Sequence, residues 1–172
     1  MAEIYEIVIF TASLSQYARP LIEKLDKTKI GFTQLYREHC TFYEGLYFVK
    51  DLGKLGRDLR DVIIIDNSPS AYLFHKQNAI PIISWYQNKS DKELFKLIPI
   101  LQSLATVPDV TKERLHLWRK SKFSPSKFLR DHQTIEQVET LKEKKLSRSE
   151  KINFHSTSLN VSSNSTIINF RN

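Results

Sequence analysis

The sequence is poor in the residues that mark several classes of protein. Its 172 residues include a single cysteine, Cys40, and only four glycines. One cysteine excludes an intrachain disulfide framework and favours a reducing compartment. No apolar run approaches the roughly 18 residues of a spanning helix, and Glu3 and Glu6 interrupt the only apolar stretch at the start, so no membrane span or secretory signal is expected. We therefore predict a nuclear or cytoplasmic protein without membrane association.

An excess of positive charge is missing from most of the chain. Residues 1–118 contain 15 Lys/Arg against 14 Asp/Glu, whereas residues 119–172 contain 11 against 5. A nearly neutral globular part lacks the basic face of a nucleic-acid-binding domain, and most basic tails are simply solvated. We predict one domain over residues 1–118, no direct contact with nucleic acid, and a basic, largely disordered tail over residues 119–172, in which 134–146 could form a short helix.

Apolar runs along the first 118 residues predict strands that alternate with helices. Ile4–Phe10 is rich in β-branched and aromatic residues and predicts a strand. Val62–Ile65 is a continuous apolar run typical of a strand buried on both faces, and Ala79–Trp85 is predicted to be another buried strand. A helix follows the first strand, with Ser13 as its predicted N-cap. Phe32–Val49 is aromatic and predicts short antiparallel strands. This order indicates an α/β fold with a mainly parallel sheet.

Polar residues follow several of these strands. Thr11 comes directly after the first strand, Asp66 and Asn67 follow Val62–Ile65, and Lys50 follows the aromatic segment. Ligands bind at the carboxyl ends of strands in open α/β sheets, where such groups can hold a phosphate and a divalent cation. Taken singly, each has an ordinary interpretation: a helix cap for the threonine, turn chemistry for the Asp-Asn pair, and a surface position for the lysine.

Five ordered segments between about Tyr5 and Ala105 resemble one family. They resemble the small phosphatases acting on the RNA polymerase II carboxy-terminal domain and the Dullard-like (NLI-interacting-factor-like) phosphatases, which are members of the haloacid-dehalogenase superfamily. The segments are Phe10–Leu14 with Tyr17-Ala18, Leu35–Glu38, Val49–Leu52 with Leu55–Asp58, Ile65–Pro69, and Asn78–Ile82 with Ser84-Trp85.

The resemblance implies a function and a role for each candidate residue. The family hydrolyses phosphoserine or phosphothreonine in phosphoprotein substrates with Mg²⁺, on a haloacid-dehalogenase-like fold with a small antiparallel insertion. By resemblance, Thr11 binds the phosphoryl group and Lys50 neutralises its charge. Asn67 coordinates magnesium, Asp66 supports that site, and Arg37 lies near the substrate groove.

The chain departs from the family at the nucleophile. The family's D-x-D-x-T motif, whose first aspartate attacks phosphorus, lies on a central strand, but this sequence has no aspartate before Asp26 and no D-x-D anywhere. We therefore expect the first, central strand to be missing, so that its two neighbours lose ladder partners or pair with each other. Magnesium ligands would then be incomplete as well.

Three interpretations of this departure remain open. The chain is part of a phosphatase whose nucleophile strand lies outside the sequence, and is inactive alone. Alternatively, it is a pseudophosphatase that binds phosphopeptides or proteins, or a fragment without function.

Overall fold

The computed structural model describes residues 1–120 and 165–171 of the chain. Three α-helices and seven strands lie in these ranges: β1 (Tyr5–Thr11), α1 (Ser15–Leu25), β2 (Thr33–Leu35), β3 (Thr41–Tyr43), β4 (Tyr47–Val49), β5 (Val62–Asp66), β6 (Ala79–Pro81), α2 (Glu93–Leu104), α3 (Val110–Lys120) and β7 (Ser165–Arg171). Short 3₁₀ segments connect several of them, at Arg37–His39, Leu52–Leu55, Leu59–Asp61 and Pro69–Asn78.

The main sheet has five strands in the order β2-β1-β7-β5-β6. β1 pairs in parallel with β2, and β5 pairs in parallel with β6. β7 lies between these two pairs and is antiparallel to both of its neighbours, with Ile168 opposite Val8 on one side and Ile64 on the other. The sheet is therefore mixed, and β7 joins its two parallel halves.

β3 and β4 form a separate antiparallel hairpin. Its turn is closed by a hydrogen bond from the N–H of Leu46 to the carbonyl of Tyr43. Both central residues have positive φ, 51° at Glu44 and 65° at Gly45. Such a turn matches the twist of the strands, and Gly45 adopts this conformation without a Cβ penalty. The predicted antiparallel insertion is thus present in β3 and β4, whereas β2, predicted as part of it, belongs to the main sheet.

The two faces of β1 pack against different layers. Its alternate side chains point to opposite faces, as in any strand. Val8 and Phe10 join a core cluster with β5 and the 3₁₀ segments, whereas Ile9 packs against a second cluster under α1. All five residues of β5 are buried, which confirms the prediction of a strand covered on both faces.

The centre of the sheet differs from the prediction made from sequence. A missing central strand would leave β1 and β5 unpaired or joined to each other, but β7 separates and pairs with both. The last strand therefore lies within the range 119–172 that was predicted to be largely disordered, and α3 also extends past residue 118. Local composition could not reveal this, because β7 gains its stability from partners more than 90 residues away in sequence.

The start of α1 also differs from the prediction. Its N-cap is Leu14, without a side-chain cap, rather than Ser13. The backbone N–H of Ser13 instead donates to the Thr11 hydroxyl oxygen, at 3.1 Å, and its carbonyl accepts from the Arg37 N–H. These bonds hold Ser13 in the connection after β1, so Ser13 does not cap α1.

Two further sequence predictions concern a short helix in the tail and the absence of a membrane-spanning helix. The short helix suggested for residues 134–146 lies outside the described residues. Within the described ranges, none of the helices is long and apolar enough to cross a membrane.

Candidate functional site

The carboxyl ends of β1 and β5 carry the first candidate residues. Thr11 ends β1 and Asp66 ends β5, and both are almost fully buried. The Thr11 hydroxyl oxygen accepts the N–H of Ser13, which fixes its orientation. Ser165, the first residue of β7, lies opposite Thr11 in the register. The carboxyl ends of β1 and β5 therefore meet at one edge of the sheet, as the α/β pattern predicts, together with the amino end of β7.

A buried ion pair joins the hairpin to this edge. Lys50 directly follows β4, and its Nζ donates to Oδ2 of Asp66 at 2.6 Å, with both side chains at most 2% exposed. The Lys50 backbone N–H donates to the carbonyl of Ala71, which fixes the point where the hairpin rejoins the core. Nζ also lies 6.0 Å from the centroid of the Phe10 ring on β1. The cation thus lies at the end of β5 and faces an aromatic ring near the end of β1.

Burial and the partner carboxylate act on Lys50 in opposite directions. Desolvation lowers the pKa of Lys50, because burial disfavours the charged ammonium. The Asp66 carboxylate offsets part of this effect through its charge and hydrogen bond. A buried cation at a strand end is the kind of group that stabilises a phosphoryl dianion, since a low-dielectric site strengthens each charge interaction.

Asp66 is held by more than the lysine. Its Oδ1 accepts the N–H of Ser68 at 2.7 Å, while its backbone carbonyl accepts the N–H of Ile82 at 3.2 Å. The next residue, Asn67, is partly buried and donates from Nδ2 to Oγ of Ser84 at 2.6 Å. Ser68 and Ser84 received no role from sequence reasoning; the Asp-x-Ser spacing of an Asx turn is the signal that could have found the first of them.

The magnesium site implied by resemblance is incomplete in these residues. Both carboxylate oxygens of Asp66 are engaged, by Lys50 and by the Ser68 N–H. The Asn67 amide oxygen is a ligand type that Mg²⁺ accepts, but protein sites use one or two carboxylates together with phosphate and water. In the part of the chain that the structure describes, no three His, Cys, Asp or Glu residues form a group suited to a metal. The described residues alone therefore do not fit a magnesium site.

Arg37 lies beside the same edge. Its Nε donates to the carbonyl of Ala12 at 2.6 Å, and its guanidinium stacks 4.9 Å from the centroid of the Phe48 ring on β4. These contacts tie the 3₁₀ segment and the hairpin to the connection that follows Thr11. The structure thus joins Lys50 directly to Asp66 and binds Arg37 to Ala12, the residue after Thr11.

Cys40 provides a chemical probe close to this region. Its Sγ donates to the carbonyl of Tyr36 at 3.8 Å, whereas Nδ1 of the adjacent His39 accepts the Tyr36 N–H. The two side chains therefore make separate contacts, and they do not form a thiol–imidazole dyad. Burial raises the pKa of Cys40 to about 11, against a weaker lowering by the charges of Lys50 and Arg37.

This raised pKa predicts that the Cys40 thiol reacts slowly with alkylating reagents. The ordinary value is 9.0, so near pH 8 the thiolate fraction, and with it the rate of alkylation by iodoacetamide, is expected to be about 100-fold below that of an unstructured cysteine. Because the chain has one cysteine, mass spectrometry reads the rate without ambiguity. The same chain in denaturant is the control. Equal rates in the folded and denatured chain would contradict the burial of this thiol.

Comparisons with known proteins identify the family to which the chain is similar. Residues 1–111 match the family described as "NLI interacting factor-like phosphatase". The chain is 54% identical over 110 residues to the "Probable C-terminal domain small phosphatase" of Dictyostelium discoideum, and 52% identical over 110 residues to the "Carboxy-terminal domain RNA polymerase II polypeptide A small phosphatase 1" of Homo sapiens. "Phosphatase Herzog" of Drosophila melanogaster is 48% identical over 110 residues.

Each match covers a larger share of this chain than of the relative. Each covers 64% of this chain, but 36%, 42% and 31% of the respective relative, so the chain spans less than half the length of these curated proteins. The matched region contains Thr11, Lys50 and the Asp66-Asn67 pair. Because the family match extends over residues 1–111 of 172, the chain belongs to the NLI interacting factor-like phosphatase family.

Proposed function

We propose that this protein serves in the dephosphorylation of phosphoserine or phosphothreonine in proteins such as the RNA polymerase II carboxy-terminal domain, and that this chain supplies the phosphate-binding part of the site. The observation that carries the proposal is the buried Lys50 cation, fixed by Asp66 at the end of β5. A nuclear or cytoplasmic location would suit such a substrate.

The proposed binding step needs few groups. A phosphoryl dianion at this edge would meet the Lys50 ammonium and the Thr11 hydroxyl. Arg37 would contact the flanking peptide, because its contacts with Ala12 and Phe48 hold it beside the connection after β1. Phosphoryl transfer depends mainly on positioning and on neutralising charge, so these groups suit the recognition of the phosphate.

Turnover would require a group that the described residues do not provide. In-line transfer needs a nucleophile aimed at phosphorus. Asp66 is a poor candidate, because Lys50 and the Ser68 N–H hold both of its oxygens. β7 reads Ser-Thr-Ile-Ile-Asn-Phe-Arg and carries no carboxylate. We therefore propose that the chain by itself binds the phosphorylated peptide without hydrolysing it, as a pseudophosphatase would.

Two assays on the full chain test the proposal. Fluorescence anisotropy compares a phosphoserine peptide from the polymerase repeat with its unphosphorylated form, with and without Mg²⁺. We expect about tenfold or greater preference for the phosphorylated peptide, since a charge-assisted hydrogen bond contributes roughly 1.5–3 kcal/mol. A phosphate-release assay, with the human relative as positive control, is expected to show no release by this chain.

A matched pair of variants assigns the preference to the site. Thr11→Val removes the hydroxyl at the end of β1 and is expected to reduce the preference, whereas Thr33→Val changes an exposed threonine on β2 and should leave it unchanged. Equal affinity for the two peptides would refute the phosphate site. Phosphate release at a rate comparable to that of the relative would refute the proposed lack of turnover.

A further inference from the structure

β7 lies at the centre of the main sheet, between the parallel pair β2-β1 and the parallel pair β5-β6. Its seven residues pair with β1 along its whole length, from Tyr5 opposite Arg171 to Thr11 opposite Ser165. Four of them also pair with β5, from Val62 opposite Phe170 to Ile65 opposite Ile167. Since neighbouring strands lie about 4.8 Å apart, the inner edges of β1 and β5 are separated by roughly 10 Å and cannot bond to each other.

Without a strand between β1 and β5, the protein would lose folding stability. β5 is buried at every residue, and β1 is buried at Tyr5, Val8, Phe10 and Thr11. Backbone N–H and C=O groups in such strands must be paired, because water does not reach them and each orphaned group costs roughly 1–3 kcal/mol. The sheet therefore requires an occupant at its centre, and in this structure the chain's own last strand is that occupant.

The direction of β7 is the informative feature. β1 and β2 run parallel, as do β5 and β6, yet β7 runs against both neighbours. Its amino end therefore lies at the edge where Thr11 and Asp66 end their strands, and its sequence brings serine and threonine there rather than a carboxylate. By resemblance, this central position belongs to the strand that carries the family's nucleophile.

We infer that β7 is a built-in strand donor that occupies the catalytic strand's position and closes it to any other strand. The catalytic meaning of that position rests on the function proposed above, whereas the pairing itself does not. While β7 is paired, a strand bearing a carboxylate can enter only by displacing it. The chain thus fills the centre of this sheet with a strand that carries no carboxylate nucleophile.

Engineered disulfides test the pairing and its register on the full chain. In a Cys40→Ser background, two in-register pairs are made: Glu6→Cys with Phe170→Cys, and Ile7→Cys with Asn169→Cys. Adjacent pairs alternate between hydrogen-bonded and non-hydrogen-bonded types, so one of them offers the closer approach. The matched controls exchange the partners, joining Glu6→Cys to Asn169→Cys and Ile7→Cys to Phe170→Cys. A shift of one residue places the two side chains on opposite faces of the sheet.

We expect at least one in-register pair to oxidise to a disulfide within a monomer, and both exchanged pairs to remain reduced. Mass spectrometry and light scattering measure the bond and the oligomeric state. Disulfide-linked dimers would overturn the inference, because the strand would then come from a second copy. Equal oxidation of all four pairs would also overturn it.

Hydrogen exchange of the unmodified chain gives a second measurement that does not require the variants to fold. We expect amides of Thr166–Phe170 to be protected as strongly as those of β5. Exchange of this segment at the rate of an unstructured peptide would overturn the inference. Neither readout involves phosphate binding, so failure here is distinguishable from failure of the proposed function.

Discussion

Lys50→Met is expected to destabilise the protein by about 3–5 kcal/mol, because it leaves the buried Asp66 carboxylate without its cation. Methionine has a similar volume to the lysine stem, so the loss arises from charge rather than from a cavity. The remaining hydrogen bond from the Ser68 N–H does not neutralise the carboxylate. Urea unfolding at neutral pH, followed by circular dichroism, measures the change in the free energy of unfolding.

The double variant Lys50→Met/Asp66→Asn shows whether the loss of stability comes from the unpaired Asp66 charge or from the removal of Lys50 itself. Its neutral amide still accepts the Ser68 N–H, and removal of both charges is expected to restore most of the lost stability, since buried ion pairs are often replaced at little net cost. Lys54→Met is the matched control, because Lys54 bonds Thr41 at an exposed position, and we expect an unchanged urea midpoint. A double variant no more stable than Lys50→Met would contradict the coupling of Lys50 with Asp66.

The elements that sequence reasoning predicted well are those with strong local signals. The apolar run at Val62–Ile65 has no polar face, so burial on both sides was the natural interpretation, and β5 confirms it. Asp66 follows that run, and the carboxyl end of a strand is where the α/β fold collects polar groups. The resemblance assigned Lys50 and Asp66 to one site, but their ion pair was not predicted, because nothing in the local pattern brings a residue after β4 to the end of β5.

The errors concern features that depend on distant partners. Ser165–Arg171 contains four β-forming residues, but the segment is short and follows Ser/Asn-rich residues. Its place in the sheet is set by backbone groups on β1 and β5. Likewise, Ser13 has the residue type and spacing of a helix cap, but its backbone is engaged by Thr11 and Arg37. At Ser13 tertiary hydrogen bonding overrides the local preference, whereas for β7 it decides where the strand pairs.

The second large effect is expected at Arg114 on α3. This side chain is buried and donates to three backbone carbonyls, those of Lys76, Gln77 and Ala79, which end a 3₁₀ segment and begin β6. Desolvation lowers the pKa of Arg114 to about 10. Hydrogen bonds to the three carbonyls compensate for the cost of burying the guanidinium cation. Arg114→Met is expected to cost about 4 kcal/mol, since it leaves several buried carbonyls without a donor.

Two further variants show whether the geometry of the guanidinium matters. Arg114→Lys keeps the charge, but a single ammonium on a flexible stem cannot match the planar fork of donors, so we expect a loss between those of wild type and Arg114→Met. Lys112→Met, on the exposed side of α3, should leave the urea midpoint unchanged. Hydrogen exchange should show that Arg114→Met loosens β6 before β1, because the orphaned carbonyls adjoin β6. Uniform loosening of the sheet, or equal stability of the methionine and lysine variants, would contradict this role.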